Sequence, residues 1–336
     1  MDIDILVSVI VPVYNVEAHI RKTLSAIIAQ DYRNIEILIV NDASSDSSRD
    51  IAQSLLTNSG RRFRIIDHPQ NLGVSAARNT GINSARGKYI WFCDSDDIPD
   101  QNFITSLLTE AENKHADIVF CSIRNYYESE NRFVDEPITF MPDSVSPADY
   151  LNAWASQKLY IASVWNFLFA RKLITDNNLN FYEDCILGED NEFVLKAIAC
   201  ASRVSYAAEI LYTYVIYLHN GGQGYSAKMR VVMMHHLMLS RMRASKFLRK
   251  RTHSSTVRKY ILSFYLPDVI VKHFTVCAAA DDREQYLRLA RNLKHKALRK
   301  ILLSTARFIF SKPELFFKSL MLLYAPSLYY LLRRGK

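Results

Sequence analysis

Two aspartates one residue apart, Asp94 and Asp96, stand directly after the unbroken apolar run Tyr89-Ile90-Trp91-Phe92-Cys93. A short run of that character reads as a buried parallel strand. Ligands of open α/β sheets bind just beyond the carboxyl ends of such strands. A carboxylate pair placed there suits a divalent cation held against the phosphates of a nucleotide. The spacing alone is common: Asp2/Asp4, Glu110/Glu112, Glu128/Glu130 and Asp190/Glu192 repeat it, and most of those read as solvated charges. Only the pair after the apolar run has a structural reason to face a cleft.

Other strand ends carry chemistry of the same kind. The run at residues 35–40 leads into Asn41-Asp42-Ala43-Ser44-Ser45-Asp46. Asp46 reads as a helix N-cap, whereas Asp42 sits at the strand end, where it can accept hydrogen bonds from a base or ribose. Val7–Val13 ends in Pro12-Val13-Tyr14-Asn15, and Tyr14 offers a ring to stack on a planar base. Neither Gly-x-Gly-x-x-Gly nor Gly-x-x-x-x-Gly-Lys-Ser/Thr occurs, so phosphates must be met by metal and side chains. The segment Asn71-Leu72-Gly73-Val74-Ser75-Ala76-Ala77-Arg78-Asn79 is the best supplier: a turn at Asn71 and Gly73 opens a helix, and Arg78 is a permanent cation of planar geometry. A plain surface arginine is the alternative reading of Arg78 taken by itself.

The elements that must hold these residues alternate. Strands at residues 7–13, 35–40, 63–66 and 89–93 are separated by helical patterns at 17–29, 46–56 and 74–85. Such alternation predicts right-handed βαβ units and a parallel sheet. A helix over 100–115 and a strand over 118–121 follow. Residues 126–226 look less regular and rich in aromatics, and the pattern from Met229 onward is helical and basic.

Taken together, the blocks at residues 9–15, 40–46, 71–79 and 94–96 resemble the family 2 glycosyltransferases of the GT-A fold. The likeness is close over about the first hundred residues and looser to about residue 226. It implies an α/β GT-A domain, Rossmann-like, with a mostly parallel central sheet, over residues 1–226. It also implies a nucleotide-diphosphate sugar donor, usually a UDP-sugar, with Mn²⁺ or Mg²⁺ bound through Asp96. Asp94 would then contact the ribose and sugar side, Asp42 the uracil, and Pro12, Tyr14, Asn71, Arg78 and Ser95 complete the donor set. The family also implies a catalytic base in a Glu-Asp motif opening a helix, here Glu189-Asp190 within Leu187-Gly188-Glu189-Asp190-Asn191-Glu192-Phe193. An inverting transfer needs one carboxylate opposite the leaving diphosphate to take the acceptor proton. Asp190 fits, because a helix N-terminus favours its ionised form; capping that terminus is its structural alternative. The arginine that related sequences often carry after a Tyr-x-Tyr block is absent from residues 212–226; His219 is the candidate to replace it as a diphosphate or metal contact, with a purely structural histidine as the alternative reading.

Composition divides the chain in two. Residues 1–227 hold 18 Lys and Arg against 29 Asp and Glu, a balance of −11, whereas residues 228–336 hold 24 against 5, a balance of +19. The basic region, 227–336, is expected to be a helical extension whose partner is an anionic membrane surface or a second copy of the chain. Lys318 and Pro326 interrupt the apolar segment after Pro313, so an interfacial helix suits it better than a span. No nucleic-acid reader accompanies the charge. Five scattered cysteines show no zinc spacing and read as reduced thiols of a cytosolic protein. The start, Met1-Asp2-Ile3-Asp4, is unlike a signal peptide. The expected protein is thus a sugar transferase acting at the cytoplasmic face of a membrane, on a glycan acceptor that is lipid-linked, in surface polysaccharide synthesis. A degenerate, tethered scaffold and a nucleotidyltransferase are the competing classes. The intact aspartates argue against the first, and the missing glycine-rich basic loop against the second.

Overall fold

The computed structural model describes residues 4–138, 144–156, 163–217, 225–292, 296–308 and 312–334. The first part alternates as expected: β1 (Val7–Val13), α1 (Ile20–Ile28), β2 (Ile35–Asn41), α2 (Ser48–Thr57), β3 (Arg62–Asp67), α3 (Val74–Ser84) and β4 (Tyr89–Phe92). There follow β5 (Ile98–Pro99), α4 (Phe103–Lys114), β6 (Ile118–Tyr127), β7 (Arg132–Glu136), β8 (Ser144–Val145), α5 (Pro147–Ala155), β9 (Phe167–Ala170), α6 (Arg171–Asp176), α7 (Glu189–Cys200) and β10 (Val204–Ile216). The region that the sequence marks as irregular therefore holds the 13-residue β10 and the helix that opens on Glu189. Its aromatic residues do not alternate cleanly because both faces of the sheet are covered.

Strand order is β3-β2-β1-β4-β9-β6-β10-β5, with β7 beside β6 and β8 beside β10. β1 runs parallel to β2 and β4, β2 to β3, and β6 to β10. β9 is antiparallel to both neighbours and joins the two parallel groups. The sheet is thus mixed, and the four N-terminal strands point their carboxyl ends to one side. Every residue of β1 and β2 is buried, as a strand covered on both faces requires. Alternation along each strand then builds two cores. Ile10, Leu38, Ile90 and Phe92 lie on one face, and Val9, Val11, Ile37, Ile39 and Trp91 on the other. Helix α1 seals the second face with Ile20, Leu24 and Ile27, which share one side at helical spacing.

Among the described residues the C-terminal region is helical and holds no strand: α8 (Ala227–Arg251), α9 (Ser255–Tyr260), α10 (Leu266–Ala279), α11 (Arg283–Asn292), α12 (Lys296–Leu303), α13 (Pro313–Tyr324) and α14 (Pro326–Arg333). The expected boundary after residue 226 coincides with the start of α8. Ala244, Leu248, Val257, Tyr260, Ile261 and Tyr265 nevertheless pack in the same cluster as Phe92, Phe120 and Phe193. A buried side chain of that size contributes about 1.5–3 kcal/mol, so these helices complete the sheet's own core. A separate cluster of Ile270, Phe274, Tyr286, Leu322 and Tyr329 holds the last helices together. Between α9 and α10 the chain makes a π-turn at Ile261–Tyr265. Pro267 follows, and a proline there removes an N–H and crowds the carbonyl four residues back. Ser255–Ala279 is long and apolar enough to cross a bilayer, but 67% of its apolar window is buried within the protein, as in a core helix.

Candidate active site

The loops after β1 and β2 are laced together. Asn15, in the left-handed region with φ 49°, accepts the Ser45 N–H at 2.8 Å, and its own N–H donates to Ser44 Oγ. Asp46 accepts the Ser48 N–H at the start of α2 and the Glu17 N–H, both at 3.0 Å. The cap of α2 is Ser47, one residue later than expected, and Asp46 serves as a brace between the loops and the helix start. Tyr14, just past Pro12, is 48% exposed, so its ring is open to a ligand.

Asp42 is almost fully buried. Oδ1 accepts the Leu72 N–H at 2.8 Å and meets His68 Nδ1 at 2.7 Å, while Oδ2 accepts the Gly73 N–H at 2.8 Å. Gly73 can present that N–H because its φ is +89°, a conformation that side chains other than glycine rarely adopt. Three of the four lone-pair positions of the carboxylate are thus used by the protein. Asp42 organises the Asn71-Leu72-Gly73 turn, with Asn71 exposed at its tip. His68, which the sequence reading passed over, is held on its far side by Thr80 Oγ1 at 2.9 Å.

Arg78 lies on α3 with only 2% of its surface exposed. One nitrogen donates to Asp94 at 2.8 Å and another to Asp190 at 2.5 Å, and Glu189 stands 3.6 Å away. Its Nε has no partner, and the guanidinium lies over the Phe181 ring at 5.3 Å. The expected phosphate cation is thus committed to three carboxylates. It joins a strand-end acid to a helix-start pair 112 residues away in sequence. The neighbouring Asn79 braces the same junction, exchanging hydrogen bonds with the Phe181 backbone at 2.9 Å and reaching Glu183 at 3.0 Å. Nothing local in the sequence distinguishes Asn79 from a polar surface residue.

The segment after β4 places its acids differently from one another. Asp94 and Asp96 are partly accessible, and Ser95 is buried with its carbonyl on Thr23 Oγ1 at 3.0 Å. Asp96 shows no side-chain partner among the described residues, and its carbonyl accepts the Tyr217 hydroxyl at 3.1 Å. Burial, with Asp94 beside it, pushes the Asp96 carboxyl up to about 6. Asp97, absent from the expected set, is fully buried and accepts the Tyr212 hydroxyl and the Val215 N–H, both at 2.9 Å. It ties the metal-candidate turn to β10; the signal available in the sequence was the second acid directly following Asp96.

Glu189 and Asp190 form the first turn of α7. The cap, Gly188, has φ +89°, and a Cβ there would stand 2.5 Å from Ser240 Oγ and 2.8 Å from Leu237 Cδ1 on α8. The turn carrying Asp190 is therefore seated directly on the C-terminal helices. A helix N-terminus alone would keep Asp190 ionised. Burial pushes its carboxyl up to about 8 against the pull of Arg78, with Glu189 and Asp94 adding repulsion. Glu189 is pushed up as well, again chiefly by burial. His219 lies outside the described residues.

Among the described residues no group of three or more His, Cys, Asp or Glu forms a metal site by itself. A partly accessible carboxylate such as Asp96, with no side-chain partner among the described residues, is a hard oxygen donor of the kind Mg²⁺ and Mn²⁺ take. The other ligands would come from a bound diphosphate, so the residues fit a shared cation.

A sheet whose strand ends carry Asp42, Asp94 and Asp96, closed by helix-borne Asp190, defines a nucleotide-sugar transferase fold of the GT-A type. Residues 8–176 match the model of glycosyl transferase family 2, and this chain belongs to that family. It is 38% identical over 212 residues to the glycosyltransferase EpsJ of Bacillus subtilis, covering 62% of this chain and 60% of EpsJ. It is 34% identical over 273 residues to EpsH of the same organism, covering 81% and 76%. The match with EpsJ thus spans less than two thirds of that relative's length. In fold it is similar to S. aureus TarS 1–349, solved with UDP-GlcNAc: TM-score 0.66 at 18% identity, over 98% of this chain and 92% of that one. The mannosyltransferase PcManGT of Pyrobaculum calidifontis, solved with GDP-Man and Mn²⁺, gives a TM-score of 0.56 at 19% identity over 97% and 86%.

Proposed function

We propose that this glycosyltransferase moves a sugar, with inversion, from a nucleotide-diphosphate donor to a hydroxyl of a glycan acceptor during cell-surface polysaccharide synthesis. The observation that carries the reading is Arg78, which pairs with both the strand-end Asp94 and the helix-borne Asp190 and so gathers the two carboxylates on one guanidinium. UDP is the donor nucleotide favoured by the family resemblance and by the UDP-GlcNAc of TarS. The acceptor is lipid-linked, consistent with a chain whose basic third suits a membrane face.

Asp190 takes the proton of the acceptor hydroxyl as the oxygen bonds to the anomeric carbon. The bond from that carbon to the diphosphate oxygen breaks, and the nucleoside diphosphate leaves. A carboxylate of raised pKa is a better proton acceptor near neutral pH than an ordinary one. Arg78 sets its orientation and keeps its pKa from rising further. Tyr14 stacks on the base, and Asp42 offers its remaining lone pair to a base N–H. Asp96 would hold Mn²⁺ or Mg²⁺, which supplies neutralisation of charge on the leaving diphosphate.

The test is release of nucleoside diphosphate from a panel of donors with Mn²⁺ present. Asp190→Asn should lower kcat by about 10²-fold or more with UDP affinity nearly unchanged. A parallel collapse of UDP affinity would assign Asp190 to the donor site instead.

A further inference from the structure

The last two helices each present two apolar sides. On α13, Leu315, Ser319 and Leu322 are buried, while Phe317 and Tyr324, about half a turn round the helix, are exposed. On α14, Tyr329 and Tyr330 are buried, while Leu328, Leu331 and Leu332 are 49–64% exposed. Spacings of three and four residues put these three leucines on one stripe. The inward sides are accounted for by the cluster with Ile270, Phe274 and Tyr286. Among the described residues the outward leucine stripe has no such cover.

A groove of about 510 Å³ runs between α11 and α14. Leu287 and Leu331 form part of its apolar lining, and Arg283 and Arg334 supply cations. Arg334 pairs with Asp281 at 2.9 Å, and Asp281 also takes the Tyr330 hydroxyl. Arg283 makes no ion pair among the described residues. Apolar side chains beside an uncommitted guanidinium, in a region with a +19 balance, match a surface whose outer layer is anionic and whose interior is hydrocarbon.

We propose that the outer side of α13 and α14, with the adjoining groove, docks on an anionic phospholipid bilayer. Leu328, Leu331 and Leu332 enter the acyl boundary, and Arg283 meets a headgroup phosphate. Charge complementarity favours this occupant over a second copy docked by the same face, since two such faces, each carrying Arg283 and Arg334, repel.

The full chain should sediment with phosphatidylcholine vesicles only when phosphatidylglycerol is included, and high salt should release part of it, because salt weakens only the electrostatic share. Leu328→Ser, Leu331→Ser and Leu332→Ser together should lower vesicle affinity at least about tenfold, since each leucine forfeits part of its burial, with Tm unchanged. Arg283→Gln should lower it about fivefold. If the triple variant unfolds, Leu331→Ser, at the most exposed of the three, carries the test. Deleting both helices would not serve, because it strips Leu322 and Tyr329 from their cluster. A wild-type chain that ignores anionic vesicles, or a folded triple variant that binds them equally, overturns the proposal. So does a self-association that the triple variant abolishes, which would make this face a contact between copies.

Discussion

In the α/β part, carboxylates are drawn inward around one guanidinium. In the helical part, cations such as Lys228, Arg230, Arg249, Lys250 and Arg251 are turned out to solvent. The buried arrangement is costly unless every charge is answered, and Arg78 answers three acids at once. Burial is what moves Asp190 away from an ordinary carboxylate, against the pull of Arg78 and with Glu189 and Asp94 adding repulsion. The outward charges need no partner to be stable and are free to meet a surface. Under the proposed function these aspartates would face an anionic diphosphate, an arrangement whose electrostatics call for a further cation. The two regions differ in how charge is used, yet they share one hydrophobic core.

That shared core offers the harshest way to break the comparison. A chain ending at residue 226 should fail to form a soluble folded domain, because Leu248, Val257, Ile261 and Tyr265 no longer cover Phe92 and Phe193. A truncated protein with a cooperative thermal transition and intact UDP binding would show that the helices merely decorate an independent domain.

Within the acidic part, Asp96→Ala should lower turnover by about 10³-fold, the scale of several kcal/mol of charge stabilisation by a metal. It should also erase the difference in UDP affinity measured with and without Mn²⁺ by calorimetry. Undiminished activity of this variant, or of the wild type in EDTA, would remove the metal from the account.

The pH profile sharpens the role of Asp190. A base with a carboxyl near 8 is progressively protonated, and so progressively idle, as pH falls below that value. The value of kcat/KM should therefore rise about tenfold per pH unit on the acid side and level off above about 8. In Asp190→Asn that rising limb should disappear. A flat wild-type profile between pH 6 and 8 would mean that the proton goes elsewhere.

The smallest expected effect probes the joint between the regions. Glu192 on α7 is buried and meets Arg243 of α8 at 2.7 Å and Lys196 at 2.5 Å. Arg243→Ala should cost about 2 kcal/mol, the scale of hydrogen bonds to a charged group, read as a lower Tm. Because Lys196 remains, turnover at a temperature well below Tm should change little. A large loss of activity without a loss of stability would make α8 a more direct setter of the α7 turn than its packing implies.

Much of the acidic part is local in origin, and to that extent the sequence alone determined it. Apolar runs bounded by Asp and Asn marked β1, β2 and β4, because a strand covered on both faces has no polar alternation to hide it. Placing Asp42, Asp94 and Asp96 at carboxyl ends of strands followed from the same runs. The strong charge asymmetry was equally plain. Tertiary structure alone decided what these residues meet. It brought Arg78 between Asp94 and Asp190, set His68 behind Asp42, and turned Asp97 inward to β10. It also slid β9 antiparallel between β4 and β6, and folded basic helices onto an acidic domain's core. Each of these depends on contacts between residues far apart in the chain. Local propensity carries no record of such partners, since they are chosen by which surfaces can be buried together once all the elements exist.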